Sequence, residues 1–133
     1  LARKKDERTE ETVLRLSKLL RFMIYECNSA LVSLRKECQM IKDYLALEEL
    51  RFQDKVALHY EEDIDSEAYQ IPPLLLLPLV ENAFKHGVSE SRRKGWVKVC
   101  LSAQQGVLRF AVQNSVEHQK LKNLVVLVFT VIV

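Results

Sequence analysis

All three prolines of the chain stand in one stretch, Ile71 to Gly87, and that stretch limits what the chain can become. Ile71-Pro72-Pro73-Leu74-Leu75-Leu76-Leu77-Pro78-Leu79-Val80 is almost purely apolar. Glu81-Asn82-Ala83-Phe84-Lys85-His86 follows, and Gly87 stops it. Read as a helix at about 100° per residue, the stretch divides by face. Leu76, Leu79, Val80, Ala83 and Phe84 fall on one side. Pro78, Glu81, Asn82, Lys85 and His86 fall on the other, within an arc of about 140°. One face needs a core. The other offers a carboxylate, an amide, an ammonium and an imidazole within two turns. Proline is tolerated in a first turn, so Pro72-Pro73 predicts the helix entry. Pro78 cannot donate to the carbonyl of Leu74, which predicts a kink or a fresh start there. Gly87 suits a left-handed C-cap.

Upstream, residues 1–12 are charged and expected to fray. From Val13 the residues Val13, Leu16, Leu20, Met23 and Cys27 recur at alternating steps of three and four, the spacing of a helical seam. Leu19, Phe22 and Ile24 widen it. Asn28-Ser29 is a break, and Ser33 is a candidate N-cap for a second helix. That helix carries Leu34, Cys38, Ile41 and Leu45, then Phe52 beyond the polar Glu48. Two amphipathic helices with a short connector predict an antiparallel hairpin. Each bears more apolar surface than one partner helix covers, so a four-helix homodimer through 13–27 and 33–52 is expected. Cys27 and Cys38 read as small core residues.

Val56, Leu58 and Tyr60 alternate with Ala57 and His59, which predicts a strand. Glu61 to Glu67 reads as an acidic, turn-rich loop, and Ser89 to Lys94 as an exposed connection. Val97, Val99 and Leu101 alternate, Gln104-Gln105-Gly106 makes a turn, and Leu108, Phe110 and Val112 alternate again: a β-hairpin. Leu124 to Val133 is apolar except for Thr130, about half the length a spanning helix needs, and its Val/Ile/Phe content favours one or two buried strands. The fold class is therefore α+β: a helical hairpin, 1–53, then a two-layer α/β sandwich, 54–133, with helices on one face of a mixed sheet.

Composition excludes more than it identifies. With 133 residues this is one domain, or one with a helical extension. A formal net charge of +2 gives no argument for nucleic acid or an anionic membrane. Three widely spaced cysteines without a Cys-x-x-Cys suggest neither a disulfide framework nor a zinc site. The charged start is unlike a signal peptide, and a reducing cytosol fits.

These elements, with Leu-Val-Glu-Asn-Ala-Phe-Lys-His-Gly at 79–87, resemble the bacterial sensor histidine kinases of the LytS/YehU type. These join a dimerising helical hairpin to an ATP-binding domain of the gyrase/Hsp90/histidine-kinase/MutL (GHKL, or Bergerat) kind. Leu16-Ser17-Lys18-Leu19-Leu20-Arg21-Phe22 looks like the family's first helix, after the phosphorylated histidine. Tyr44 to Phe52 looks like its second helix, and Ile71 to Gly87 like its N box. The resemblance covers most of 9–115. It implies that Asn82 ligates the Mg²⁺ on ATP through its side-chain oxygen, which is chemically sufficient for a hard cation that keeps its waters. It implies that Glu81 polarises a nucleophile or orients a metal-bound water, that Lys85 faces phosphate, and that His86 and Gly87 complete the box. Such a cluster suits phosphoryl transfer, where positioning and charge neutralisation do most of the catalysis.

The sequence departs from the pattern at three places. No His-Phe-Leu-Phe-Asn stretch precedes Val13. His59 reads as structural, His118 as solvated, and neither they nor His86 sits in an acceptor context. The adenine-reading Asp-x-Gly-x-Gly would follow the Leu108–Val112 strand. The text there is Val112-Gln113-Asn114-Ser115-Val116, with Asn114 at the aspartate position. Asn114 is open between a weak adenine contact and strand-end capping. The glycine-rich lid is missing near 116–121, through deletion or omission. Leu124-Val125-Val126 and Phe129 to Val133 look like the family's last two strands run together. Arg51 reads as a structural pair rather than a phosphate ligand.

The resemblance implies the cytoplasmic kinase core of a two-component sensor. It would use ATP and Mg²⁺ to phosphorylate a histidine absent from this sequence, then a response regulator, those with a LytTR-type DNA-binding domain being candidates. It implies no direct contact with nucleic acid and a parent protein anchored in the inner membrane. The alternative is a degenerate, non-catalytic dimer that scaffolds a partner.

Overall fold

In the computed structural model the backbone is described for residues 2–26, 28–86, 95–115 and 123–130. Helix α1 spans Ala2–Arg21 and continues as a π turn, Phe22–Glu26. A two-residue strand β1 (Val32–Ser33) leads into α2 (Leu34–Phe52). After a 3₁₀ turn come β2 (Val56–Ile64) and the short β3 (Gln70–Ile71). Then follow α3 (Leu77–His86), β4 (Gly95–Gln104), β5 (Val107–Asn114) and β6 (Asn123–Thr130). The four long strands form one mixed sheet in the order β2-β4-β5-β6. β2 runs parallel to β4, and the other pairs are antiparallel. β1 and β3 form a separate antiparallel pair, Val32 opposite Ile71. The α+β class is as expected.

The periodicities explain the sheet. Along β4 every second residue is buried, Val97, Val99, Leu101 and Ala103; β5 answers with Leu108, Phe110 and Val112. Gln105 (φ 53) and Gly106 (φ 80) both have positive φ, the geometry a two-residue hairpin demands. α3 lies on this face and buries Leu76, Leu77, Val80 and Phe84. Full burial of such side chains contributes about 1.5–3 kcal/mol each. Leu34, Cys38, Ile41 and Leu45 of α2 join the same cluster of buried side chains. Burial pushes the Cys38 thiol up to about 11, so it serves as a small core residue.

Several expectations are corrected. The acidic run is not all loop. β2 continues through Ile64, pairing Glu61 to Ile64 with Cys100 to Ala103. The alternation persists there, and Glu62 is neutralised by Arg35 (3.1 Å) and Lys42 of α2. Only 65–69 is a connection, closed by Asp65, which accepts from the Tyr69 hydroxyl and from the Gln105 amide at 2.9 Å. The Tyr69 bond is the main reason the Asp65 carboxyl is held below its usual range. Residues 2–12 are helical rather than frayed. Ser33 makes no side-chain cap; it pairs with Gln70 in β1, and the Leu34 amide donates to the Tyr69 carbonyl at 2.9 Å. α3 starts at Leu77, not at Pro72-Pro73, so Pro78 lies in its first turn and removes a donor that would have no helical partner. The fresh start at Pro78 is thus the outcome of the two expected. Of the one or two strands expected at the C-terminal segment, the described residues form one, β6, through Thr130. Gly87, Cys27 and the Ser89–Lys94 connection lie outside the described residues.

The hairpin also divides its faces differently. α1 packs antiparallel on α2, with Leu19 and, in the π turn that follows, Phe22 buried, and Arg15 bonds the buried Asp43 at 3.1 Å. The seam Val13, Leu16, Leu20 and Met23 faces away, at 56, 49, 49 and 39% exposure.

A buried carboxylate joins the hairpin to α3. Glu37 on α2 is fully buried and accepts from the Leu74 amide at 2.9 Å and the Leu76 amide at 2.8 Å. Burial raises its pKa above 4.5, against the opposing pull of the backbone amides of Leu74 to Leu77. The unfolded chain therefore binds fewer protons in the window from 4.5 up to the raised value, and stability should fall as pH rises across it. Glu37→Gln should flatten that part of a pH series of urea melts. An unchanged slope would show that the carboxyl does not titrate differently on folding. A second expectation concerns Gln53, whose φ 53 and ψ −122 follow α2 in a region disfavoured for any side chain. Gln53→Gly should raise stability by about 1 kcal/mol, read as a shift in the urea midpoint without a change in slope.

Candidate functional site

α3 sorts its residues as its sequence implies. Leu76 at its entry, Val80 and Phe84 are buried, Glu81 is half-buried and Asn82 is exposed. Asn82 follows Glu81 about 100° further round the helix, on the outward arc. Lys85 and His86 lie in the last turn of α3, but their side chains, like all of Gly87, fall outside the described residues.

The end of β5 comes to the same place. Asn114 is 2% exposed, and its Nδ2 donates to the Ala83 carbonyl at 2.8 Å. This bond ties α3 to the sheet and leaves Oδ1 as the acceptor of that side chain. Asn114 is thus fixed to α3 one residue beyond Asn82 in the helix, through the backbone carbonyl of Ala83. Arg51, the other residue weighed as a phosphate ligand, is set on α2. Its Nη1 lies 3.6 Å from the Glu48 carboxylate, and its guanidinium lies over the Phe52 ring at 5.1 Å.

The α2–α3 contact holds residues that periodicity alone did not single out. Tyr44 meets Phe84 edge to face, with centroids 5.7 Å apart, and Phe52 stacks on Phe84 at 5.9 Å. Glu48 lies one turn from each, buried, with Oε2 lacking a hydrogen bond. Burial raises its pKa, Arg51 opposes that and Glu81 adds to it. Tyr44 is raised by burial, then by Glu48 and Glu81. Glu81 therefore shares its surroundings with Tyr44 and Glu48. The available signal was the position of Glu37 and Glu48 inside the apolar stripe of α2, three residues after Leu34 and Leu45.

The exposed Asn82 amide oxygen is a hard donor, and one such oxygen fits Mg²⁺ held otherwise by phosphate and water. Among the described residues no group of three or more His, Cys, Asp or Glu is arranged to hold a metal. No helix among them is long and apolar enough to cross a membrane.

A family model described as histidine kinase matches residues 1–56. The sensor histidine kinase YpdA of Escherichia coli (strain K12) is 38% identical over 106 residues, 79% of this chain and 18% of YpdA. The sensor protein LytS of Staphylococcus epidermidis is 29% identical over 115 residues, 86% of this chain and 20% of LytS. The chain thus spans about a fifth of the length of these curated relatives. A likeness to the solved histidine kinase ThkA in complex with response regulator TrrA is too weak to support an inference, at 14% identity and TM-score 0.48 over 77% of this chain and 32% of that one. Identity over most of the chain, together with the Glu81-Asn82 face on a helix packed as its sequence requires, places this chain in the histidine kinase family, in the group of sensor kinases that includes LytS and YpdA.

Proposed function

We propose that this chain is the kinase core of a two-component sensor, binding Mg·ATP on the outward face of α3 for phosphoryl transfer to a histidine. The observation that carries this is the exposed Asn82 amide, next in sequence to half-buried Glu81, on a helix whose opposite face is buried in the core. In this reading 1–53 is the dimerisation unit and 54–133 the ATP-binding unit. Asn82 holds the metal through its side-chain oxygen, Lys85 faces phosphate, and His86 and Gly87 complete that end of the helix. Glu81 orients the acceptor or takes its proton. Asn114 accepts from the adenine amino group through Oδ1 while its Nδ2 keeps α3 in place. Bound there, Mg²⁺ supplies charge neutralisation on the phosphates. The phosphoryl group then passes to a response regulator, of a kind that carries a LytTR-type DNA-binding domain. The parent protein is membrane-anchored, with this part on the cytoplasmic side and no direct contact with nucleic acid.

The rival reading, a non-catalytic scaffold, draws on the engagement of Asn114 with Ala83 in place of an aspartate with flanking glycines. Isothermal titration with Mg·ADP separates the two. Asn82→Ala, at an exposed position, should leave stability within about 0.5 kcal/mol and weaken binding at least tenfold. Equal heats in the two proteins would exclude the Asn82 site, and no heat in either would favour the scaffold.

The exposed seam Val13, Leu16, Leu20 and Met23 supports a homodimer through the hairpin. Leu16→Glu combined with Leu20→Glu should halve the mass measured by light scattering without altering the circular dichroism. A dimer that survives both changes would place the interface elsewhere.

A further inference from the structure

We propose that Glu37 is a positioning residue for the nucleotide face: the hairpin holds the entry of α3 through this carboxylate and so sets where Asn82 stands relative to the end of β5. The inference rests on the Mg·nucleotide reading above and extends it to a residue of the hairpin. The geometry is specific. Both oxygens of one fully buried carboxylate are used, on Leu74 at 2.9 Å and Leu76 at 2.8 Å, 37 and 39 residues away. Leu74 adopts φ 57, a left-handed conformation that a leucine adopts only when its surroundings enforce it. The turn at Leu74 lets the Leu74 and Leu76 amides point at one anion, as backbone amides do in a concave nest. Here the anion comes from α2. It also meets the positive end of the α3 dipole, where a carboxylate is favoured.

α3 is thereby tethered at two ends to two different partners. Its entry is held to α2 by Glu37, and its Ala83 carbonyl is held to β5 by Asn114 at 2.8 Å. Asn82 lies between the tethers, six residues or about 9 Å along the axis from Leu76. A slip at the Glu37 end therefore displaces the Asn82 amide against the Asn114 end. By linkage, a nucleotide held between Asn82 and Asn114 also tightens the Glu37 contact.

The test compares wild type, Glu37→Gln and Leu45→Ala, the last a core change on α2 away from the clamp. Mg·ADP affinity is measured by titration well below each melting midpoint, and the Asn82 side-chain amide is followed by NMR without nucleotide. Glu37→Gln should shift that amide signal and raise Kd at least tenfold. Leu45→Ala, with a comparable loss of melting temperature, should do neither. Equal affinity in wild type and Glu37→Gln, or equal losses in both variants, would reduce Glu37 to a purely structural role. No binding by wild type would instead remove the nucleotide reading, and the proposal with it. Should Glu37→Gln not fold, wild type alone decides: Mg·ADP should slow amide exchange at Leu74 and Leu76, and unchanged exchange there would overturn the proposal.

Discussion

The arrangement of the molecule turns on one buried carboxylate. The segment from Ile71 to α3 cannot satisfy itself, because Pro72, Pro73 and Pro78 break up any continuous ladder and the first amides of a helix have no internal acceptor. Water would normally take those amides, but Leu76 and Leu77 are buried. Glu37 answers from another element. Burying a lone carboxylate costs several kcal/mol, and each charge-assisted bond returns about 1.5–3 kcal/mol. The two effects oppose each other, and burial, the first cause of the raised pKa, outweighs the amide bonds there. Removing the clamp would leave buried donors without partners. Its contribution is specificity: α2 and α3 can meet in only one register.

That register decides what else touches. With Glu37 on the entry of α3, Tyr44 and Phe52, two and four turns further along α2, come down on Phe84. Glu48 then falls among them, beside Glu81. The other side of α3 is left for the sheet, and Leu76 and Val80 share one buried cluster with Val97, Val99, Phe110 and Val112. A helix so constrained on its inner and lateral surfaces has one free face, and Asn82 is on it.

Much of this was legible because it follows local period. Strict alternation through Val97–Leu101 and Leu108–Val112 required a half-buried hairpin, and the division of Leu76 to Phe84 by face required a helix on top of it. The unreadable parts share one cause: their partners are distant and chemically silent in sequence. Glu37 binds backbone amides, which every residue but proline carries, so nothing in the text pairs it with Leu74 and Leu76. Glu61 to Ile64 read as loop because charge outweighed alternation. The cations that let Glu62 lie in a strand, Arg35 and Lys42, belong to a helix about twenty residues earlier. In α1 the period was right, but it could not say which of two adjoining apolar strips, Leu19–Phe22 or Val13–Leu20, packs within the chain.

Asn114 shows how one substitution alters a site's internal balance. An aspartate at this position could only accept, and the Ala83 carbonyl would face an anion at about 3 Å in a dry environment, a repulsive contact. An asparagine supplies a donor there and keeps an acceptor in Oδ1. The bond to Ala83 at 2.8 Å is thus a gain specific to the amide, made at the expense of charge on the ligand side. Tethering of α3 is strengthened by it. In the nucleotide reading proposed above, recognition through the same side chain would be weaker, and binding would rest more on the metal and phosphate contacts of α3 and on whatever holds that helix at its other end.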